Sequence, residues 1–133
     1  MADVKEFYDS IASEYHSRYN IGDNPTYKKP IADYFRLQIV LRILAQNRCR
    51  SVFEVGVGDG TPLSQMSMMG LSVSGCDISE RMVESTRNKL HNLGLSEPRI
   101  WKADISNAIE LAPALMSEPV DALVALGVMP HVE

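Results

Sequence analysis

From residue 51 onward, short apolar runs alternate with amphipathic stretches. The runs 51–55, 71–76, 99–103 and 120–126 read as strands, and 62–69, 79–93 and 106–116 as helices. Strand, helix and strand in repetition call for an α/β fold: a Rossmann-like parallel sheet with flanking helices, joined by right-handed crossovers. The helix over 79–93 is the best marked. Ser79 is its N-cap, Glu80 lies in its first turn, Met82, Val83, Thr86, Leu90 and Leu93 share one face, and Gly94 stops it. Ahead of the sheet, two N-terminal helices are predicted. In the first, 3–20, Phe7, Tyr8, Ile11, Ala12, Tyr15 and Tyr19 recur at spacings of three and four. The second, 30–47, opens on Pro30 and carries Ile31, Tyr34, Phe35, Ile39, Val40, Ile43 and Leu44. Gly22-Asp23-Asn24-Pro25 separates them.

The chemistry concentrates where the first strand ends. Val52-Phe53-Glu54-Val55-Gly56-Val57-Gly58-Asp59-Gly60-Thr61-Pro62 places three glycines in five positions behind a strand. In an open parallel sheet ligands sit at the carboxyl ends of the strands, and a backbone without Cβ atoms lets a ligand approach closely. A phosphate-binding P-loop is excluded, because no Gly-Lys-Ser/Thr follows. The dinucleotide fingerprint is missed by one residue, Thr61 standing where its third glycine belongs.

Three acids follow the strand ends: Glu54, Asp77 and Asp104. Asp77 lies 21 residues beyond Gly56, the offset at which an acid meets a ribose in nucleotide-binding units. A helix-cap role is a weaker reading for it, since Ser79 fills that place. For Asp104, capping the helix near Ser106 and contacting an adenine amine fit equally well. Glu54, in an otherwise apolar strand, calls for a partner.

Charge sharpens this. The net charge is -4, with 8 basic and 6 acidic residues through position 50 against 5 and 11 beyond it. Carboxylates around the glycine loop repel phosphates, which argues against nucleic acid as its ligand. The 133 residues and 45% hydrophobic content fit a single domain over 1–133: a helical cap over 1–50 and the first half of an α/β core over 51–133. The longest apolar run, Ala122 to Met129, is far shorter than the roughly 18 residues of a membrane span. Asp3, Lys5, Glu6 and Asp9 stand where a signal peptide is apolar. Cys49 and Cys76 read as reduced structural thiols in a cytoplasmic protein, and His16, His91 and His131 give no zinc spacing, so no metal site is expected.

Phe53-Glu54-Val55-Gly56-Val57-Gly58-Asp59-Gly60 resembles the first motif of class I S-adenosylmethionine-dependent methyltransferases, an acid followed by G-x-G-x-G. Gly75-Cys76-Asp77-Ile78-Ser79 resembles their second-strand motif, and Lys102-Ala103-Asp104-Ile105 their adenine-side motif. Residues 120–132 resemble the fourth strand and its loop, and 7–15 the leading helix of members that methylate small molecules. The resemblance implies that Gly56, Gly58 and Gly60 pass against the methionine and ribose of S-adenosylmethionine. Glu54 then faces its amino group, Asp77 its ribose hydroxyls, Asp104 its adenine amine, and Ile78 and Ile105 its adenine faces. Leu126 and Tyr15 join this cofactor set, and His131 is the candidate general base.

The family pattern continues for about three strands beyond the fourth. The chain is therefore expected to be the N-terminal part of a longer enzyme, or to cover its apolar fourth-strand edge by pairing in a homodimer. The acceptor is expected to be a small molecule, with no nucleic acid or membrane partner. An NAD(P)-dependent oxidoreductase and a non-catalytic nucleotide-binding or partner-binding module are the alternatives.

Overall fold

The computed structural model describes residues 4–12, 31–107, 109, 110, 112, 113 and 118–126. Helix α1 spans Val4–Ile11 and α2 Ile31–Gln46. Strand β1 (Ser51–Val55), α3 (Thr61–Met68), β2 (Ser72–Asp77), α4 (Glu80–Asn92), β3 (Arg99–Lys102) and β4 (Ala122–Ala125) follow. The strands form one parallel sheet in the order β3-β2-β1-β4, so the chain reverses direction of travel across the sheet at β1. This is the Rossmann-like architecture expected from the alternation of runs. The strands at 71–76 and 120–126 are displaced or shorter, and the first helix is described only to Ile11. The expected helix over 106–116 falls largely outside the described residues, with helical backbone at 109, 110, 112 and 113.

Side-chain alternation along β1 sorts the core into two. Val52 joins Val73, Ile100 and Val124 under Leu37 and Leu44 of α2, Leu63 and Met66 of α3, and Val83 and Leu90 of α4. Phe53 and Val55 point the other way, to Cys76 and Ala103, and the Phe53 ring stacks on Trp101 at 6.4 Å and 20°. Each such buried side chain contributes about 1.5–3 kcal/mol.

The β1–β4 pairing is pinned at the amino ends of the strands. Asp121 Oδ2 accepts from the amides of Arg50 (2.6 Å) and Ser51 (3.2 Å), while the Asp121 amide donates to Ser51 Oγ at 2.9 Å. At the other end of the register, Glu54 lies between Gly75 and Val124.

Helix α2 buries only part of its apolar set. Leu37 and Leu44 are buried, whereas Phe35, Ile39 and Ile43 are half exposed or more. The reason is position: α2 and β4 flank an open groove of about 260 Å³ lined by Val40, Ile43, Leu44 and residues 122–126. Strand β4 is an edge of the sheet, and Leu123 on it is 59% exposed.

Candidate functional site

The glycine loop leaves β1 and turns back over the end of β2. The amides of Gly56 and Val57 both donate to the Cys76 carbonyl, at 2.8 and 3.1 Å. Gly56, Gly58 and Gly60 take φ of 74°, 57° and 88°, the left-handed region that side chains disfavour. Between them, Val57 is wholly buried and presses on Gly75. A Cβ on Gly75 would stand 2.4 Å from Val57 Cγ1 and 2.6 Å from the Glu54 carbonyl oxygen, so only glycine fits there.

Helix α4 fastens the loop from the other side. Thr86 Oγ1 donates to the Gly58 carbonyl (3.0 Å) and Ser85 Oγ to the Asp59 carbonyl (3.1 Å). The buried Asp59 carboxylate accepts from the Thr61 amide and hydroxyl and pairs with Lys89 Nζ at 2.6 Å. A Cβ on Gly60 would meet Thr86 Cα at 2.8 Å, which is how closely the helix is drawn onto the loop. The sequence reading quoted Gly75 and Asp59 within motifs but gave them no role, and it missed Lys89 and Ser85. It placed Thr86 only on the apolar face of its helix, where a lone hydroxyl was the one local signal of a polar task.

Two carboxylates meet inside this frame. Asp77 Oδ2 accepts from the Gly58 amide at 3.0 Å and Oδ1 from the Ser79 amide at 2.9 Å, so the acid ties β2, the loop and the start of α4 together. Ser79 is the N-cap of α4, its hydroxyl accepting from the Met82 amide at 3.2 Å, which frees Asp77 from that duty. Burial pushes the Asp77 carboxyl up to about 6 against those hydrogen bonds, with the Asp9 charge adding to the rise.

Glu54 is different. It is wholly buried, and neither carboxylate oxygen meets a hydrogen-bond partner among the described residues. Burial, then the charges of Asp77 and Asp59, hold its carboxyl well above the usual range. A buried carboxyl without a partner carries a penalty of several kcal/mol when ionised. Its neighbour Cys76 is pushed up to about 11 by burial and is a structural thiol.

Of the remaining expected site residues, Ile78 is half-buried directly after Asp77, and Ile105 packs against the Phe53 cluster. Asp104 Oδ1 accepts from the amide (2.9 Å) and hydroxyl (2.6 Å) of Ser106, while Asn107 Oδ1 accepts from the Ile109 amide. Asp104 thus closes a short turn at Ser106 through one carboxylate oxygen. Leu126 is half-buried against the α2-side core and lines the groove beside α2. Tyr15 and His131 lie outside the described residues. No group of His, Cys, Asp or Glu able to hold a metal ion occurs among the described residues.

A family model described as a methyltransferase domain matches residues 53–133, the glycine loop included. The chain belongs to that family. Among solved structures, the methyltransferase domain resembles magnesium protoporphyrin IX methyltransferase from Synechocystis PCC 6803 with bound SAM. The TM-score is 0.74 at 21% identity, over 98% of this chain and 62% of that one. An S-adenosylmethionine-dependent methyltransferase from Clostridium acetobutylicum ATCC 824 gives a TM-score of 0.59 at 16% identity, over 90% of this chain and 43% of that one. Among curated proteins, the ribosomal protein L11 methyltransferase of Campylobacter fetus subsp. fetus (strain 82-40) is 26% identical over 72 residues. That match covers 54% of this chain and 26% of the relative. The chain thus spans about a quarter of the curated relative's length and under two thirds of the Synechocystis enzyme's. No helix among the described residues is long and apolar enough to cross a membrane.

Proposed function

We propose that this methyltransferase domain binds S-adenosylmethionine at the carboxyl ends of β1 and β2 and transfers a methyl group to a small-molecule acceptor. The observation that carries the reading is Glu54, a wholly buried carboxylate with no hydrogen-bond partner among the described residues, at the strand end where the glycine loop begins. Such a group asks for a cation, and the ammonium and sulfonium of S-adenosylmethionine fit that demand where a pyrophosphate would not. Relatives of this fold supply independent support, one of them solved with bound SAM.

In this reading Glu54 holds the amino group, Gly56, Gly58 and Gly60 give backbone contact along the methionine and ribose, and Asp77 accepts from the ribose hydroxyls. Ile78 and Ile105 flank the adenine, Asp104 accepts from its amine through the carboxylate oxygen that Ser106 leaves open, and Tyr15 and Leu126 complete the lining. When bound, the cofactor supplies a methyl group already activated by a positive sulfur. What remains for the chain is alignment and exclusion of water, the two tasks that the rigid, doubly fastened loop serves. His131 is the candidate base should the acceptor need to lose a proton.

The small-molecule acceptor rests on the likeness of residues 7–15 to the leading helix of such enzymes. The exposed β4 edge with the groove beside α2 suits a homodimer contact. Two free cysteines, one of them buried, suit the reducing cytoplasm.

Calorimetric titration with S-adenosylmethionine, S-adenosylhomocysteine and NAD tests the reading. The expected result is micromolar binding of the two adenosyl ligands alone, weakened roughly a hundredfold by Asp77→Ala, the size of a lost pair of hydrogen bonds to a charged group. Binding of NAD in preference, or an Asp77→Ala chain that binds as well as the wild type, would overturn it.

A further inference from the structure

Helix α1 is fastened to α4 beside the ribose acid. The Ser79 hydroxyl donates to the Asp9 carboxylate, and Arg81 Nη1 donates to the Asp9 carbonyl at 3.3 Å. Ser79 is wholly buried, and its amide is the donor to Asp77 Oδ1. Asp9 in turn pairs with Lys5 Nζ at 3.0 Å, one helical turn back. A continuous chain of hydrogen bonds therefore runs from α1 through the cap of α4 to Asp77, and from Asp77 Oδ2 to the Gly58 amide in the loop.

We propose that Asp9 is a positioning residue for cofactor binding: through Ser79 it sets the place of the Asp77 carboxylate and so couples the docking of α1 to the ribose site. The proposal rests on the cofactor reading above for what Asp77 holds, but the connection itself is a property of the ligand-free chain. Two features support it. The hydroxyl that caps α4 is shared between the Met82 amide and Asp9, so the cap cannot shift without moving α1. The Asp9 charge also reaches Asp77, adding to the rise of its carboxyl. The other groups bearing on Asp77 are the backbone amides of Ser79, Gly58 and Ile78, while Glu54 of β1 feels the Asp77 charge and is raised by it. Asp59 of the loop is neutralised by Lys89.

The test uses the whole chain with Asp9→Asn and Asp9→Ala, reading the Asp77 carboxyl by carbon NMR against pH and S-adenosylmethionine affinity by calorimetry. Both variants remove the charge, so the Asp77 midpoint falls below its wild-type value near 6 in each. Asparagine keeps an acceptor for Ser79, so Asp9→Asn holds affinity within about twofold, whereas Asp9→Ala loses roughly tenfold. The midpoint reports the charge that Asp9 places near Asp77, and the affinity ranking reports the positioning: a merely structural contact would lower the midpoint and leave both variants with wild-type affinity. An unmoved midpoint in both variants, or an Asp9→Ala chain with wild-type affinity, overturns the proposal. A wild type that binds no cofactor would sink the reading of the site, and the midpoint, measured without ligand, would still decide whether Asp9 and Asp77 are connected.

Discussion

Strand β1 has an acid associated with each end, and the two are treated in opposite ways. At the amino end, Asp121 reaches across from the start of β4 and takes the amides of Arg50 and Ser51. At the carboxyl end, Glu54 lies wholly buried between Gly75 and Val124 with both oxygens unpartnered among the described residues. The exposed acid has its partners and the buried one has none, the reverse of what stability alone would favour. The first end is built to hold the sheet in register; the second keeps a demand open for something that comes from outside.

That contrast should show first in the pH dependence of folding. The folded chain binds a proton at Asp77 more tightly than the unfolded chain does, its carboxyl lying at about 6 against an ordinary 3.8, and Glu54 is shifted in the same direction. Stability from Asp77 is therefore full below about pH 4 and is lost as pH rises through 6, and Glu54 adds a loss of the same sign. Asp77 alone accounts for about 3 kcal/mol by pH 8. Urea unfolding of the ligand-free chain across pH 4–8 should show this fall, and stability rising over the same range would break the comparison.

A smaller effect sharpens the other side. Asp121→Ala leaves two amides at the start of β1 to water and should cost about 1 kcal/mol, since the site is exposed and water replaces part of what is lost. S-adenosylmethionine affinity should stay at the wild-type value in calorimetry, because the change lies at the far end of the strand. A tenfold loss of affinity would mean that the two ends are not separate.

The elements with local signals were legible in the sequence. Helix α4 begins behind Ser79 and stops at Leu93, as its cap and Gly94 foretold, and the glycine loop stands at the strand ends where an α/β sheet puts its ligands. What escaped the reading is held by pairs distant in the chain: Asp121 with Arg50, Asp9 with Ser79, Lys89 with Asp59, Thr86 with Gly58. No period or short motif records a partner 28 to 71 residues away. The role of Gly75 escaped for the same reason, since the need for a missing Cβ arises from Val57 on another strand's loop. The exposed apolar side of α2 reads as core by its composition, and only the position of α2 at the β4 edge shows otherwise.

The most direct measurement compares Glu54→Gln with the wild type by urea unfolding at pH 5 and pH 8, with and without S-adenosylmethionine. Glutamine keeps the shape and cannot ionise. The variant should match the wild type near pH 5, exceed it at pH 8 without ligand, and gain little from the cofactor that stabilises the wild type. A variant less stable than the wild type at pH 8, or one that the cofactor stabilises fully, would contradict the claim that Glu54 is held open for a cation.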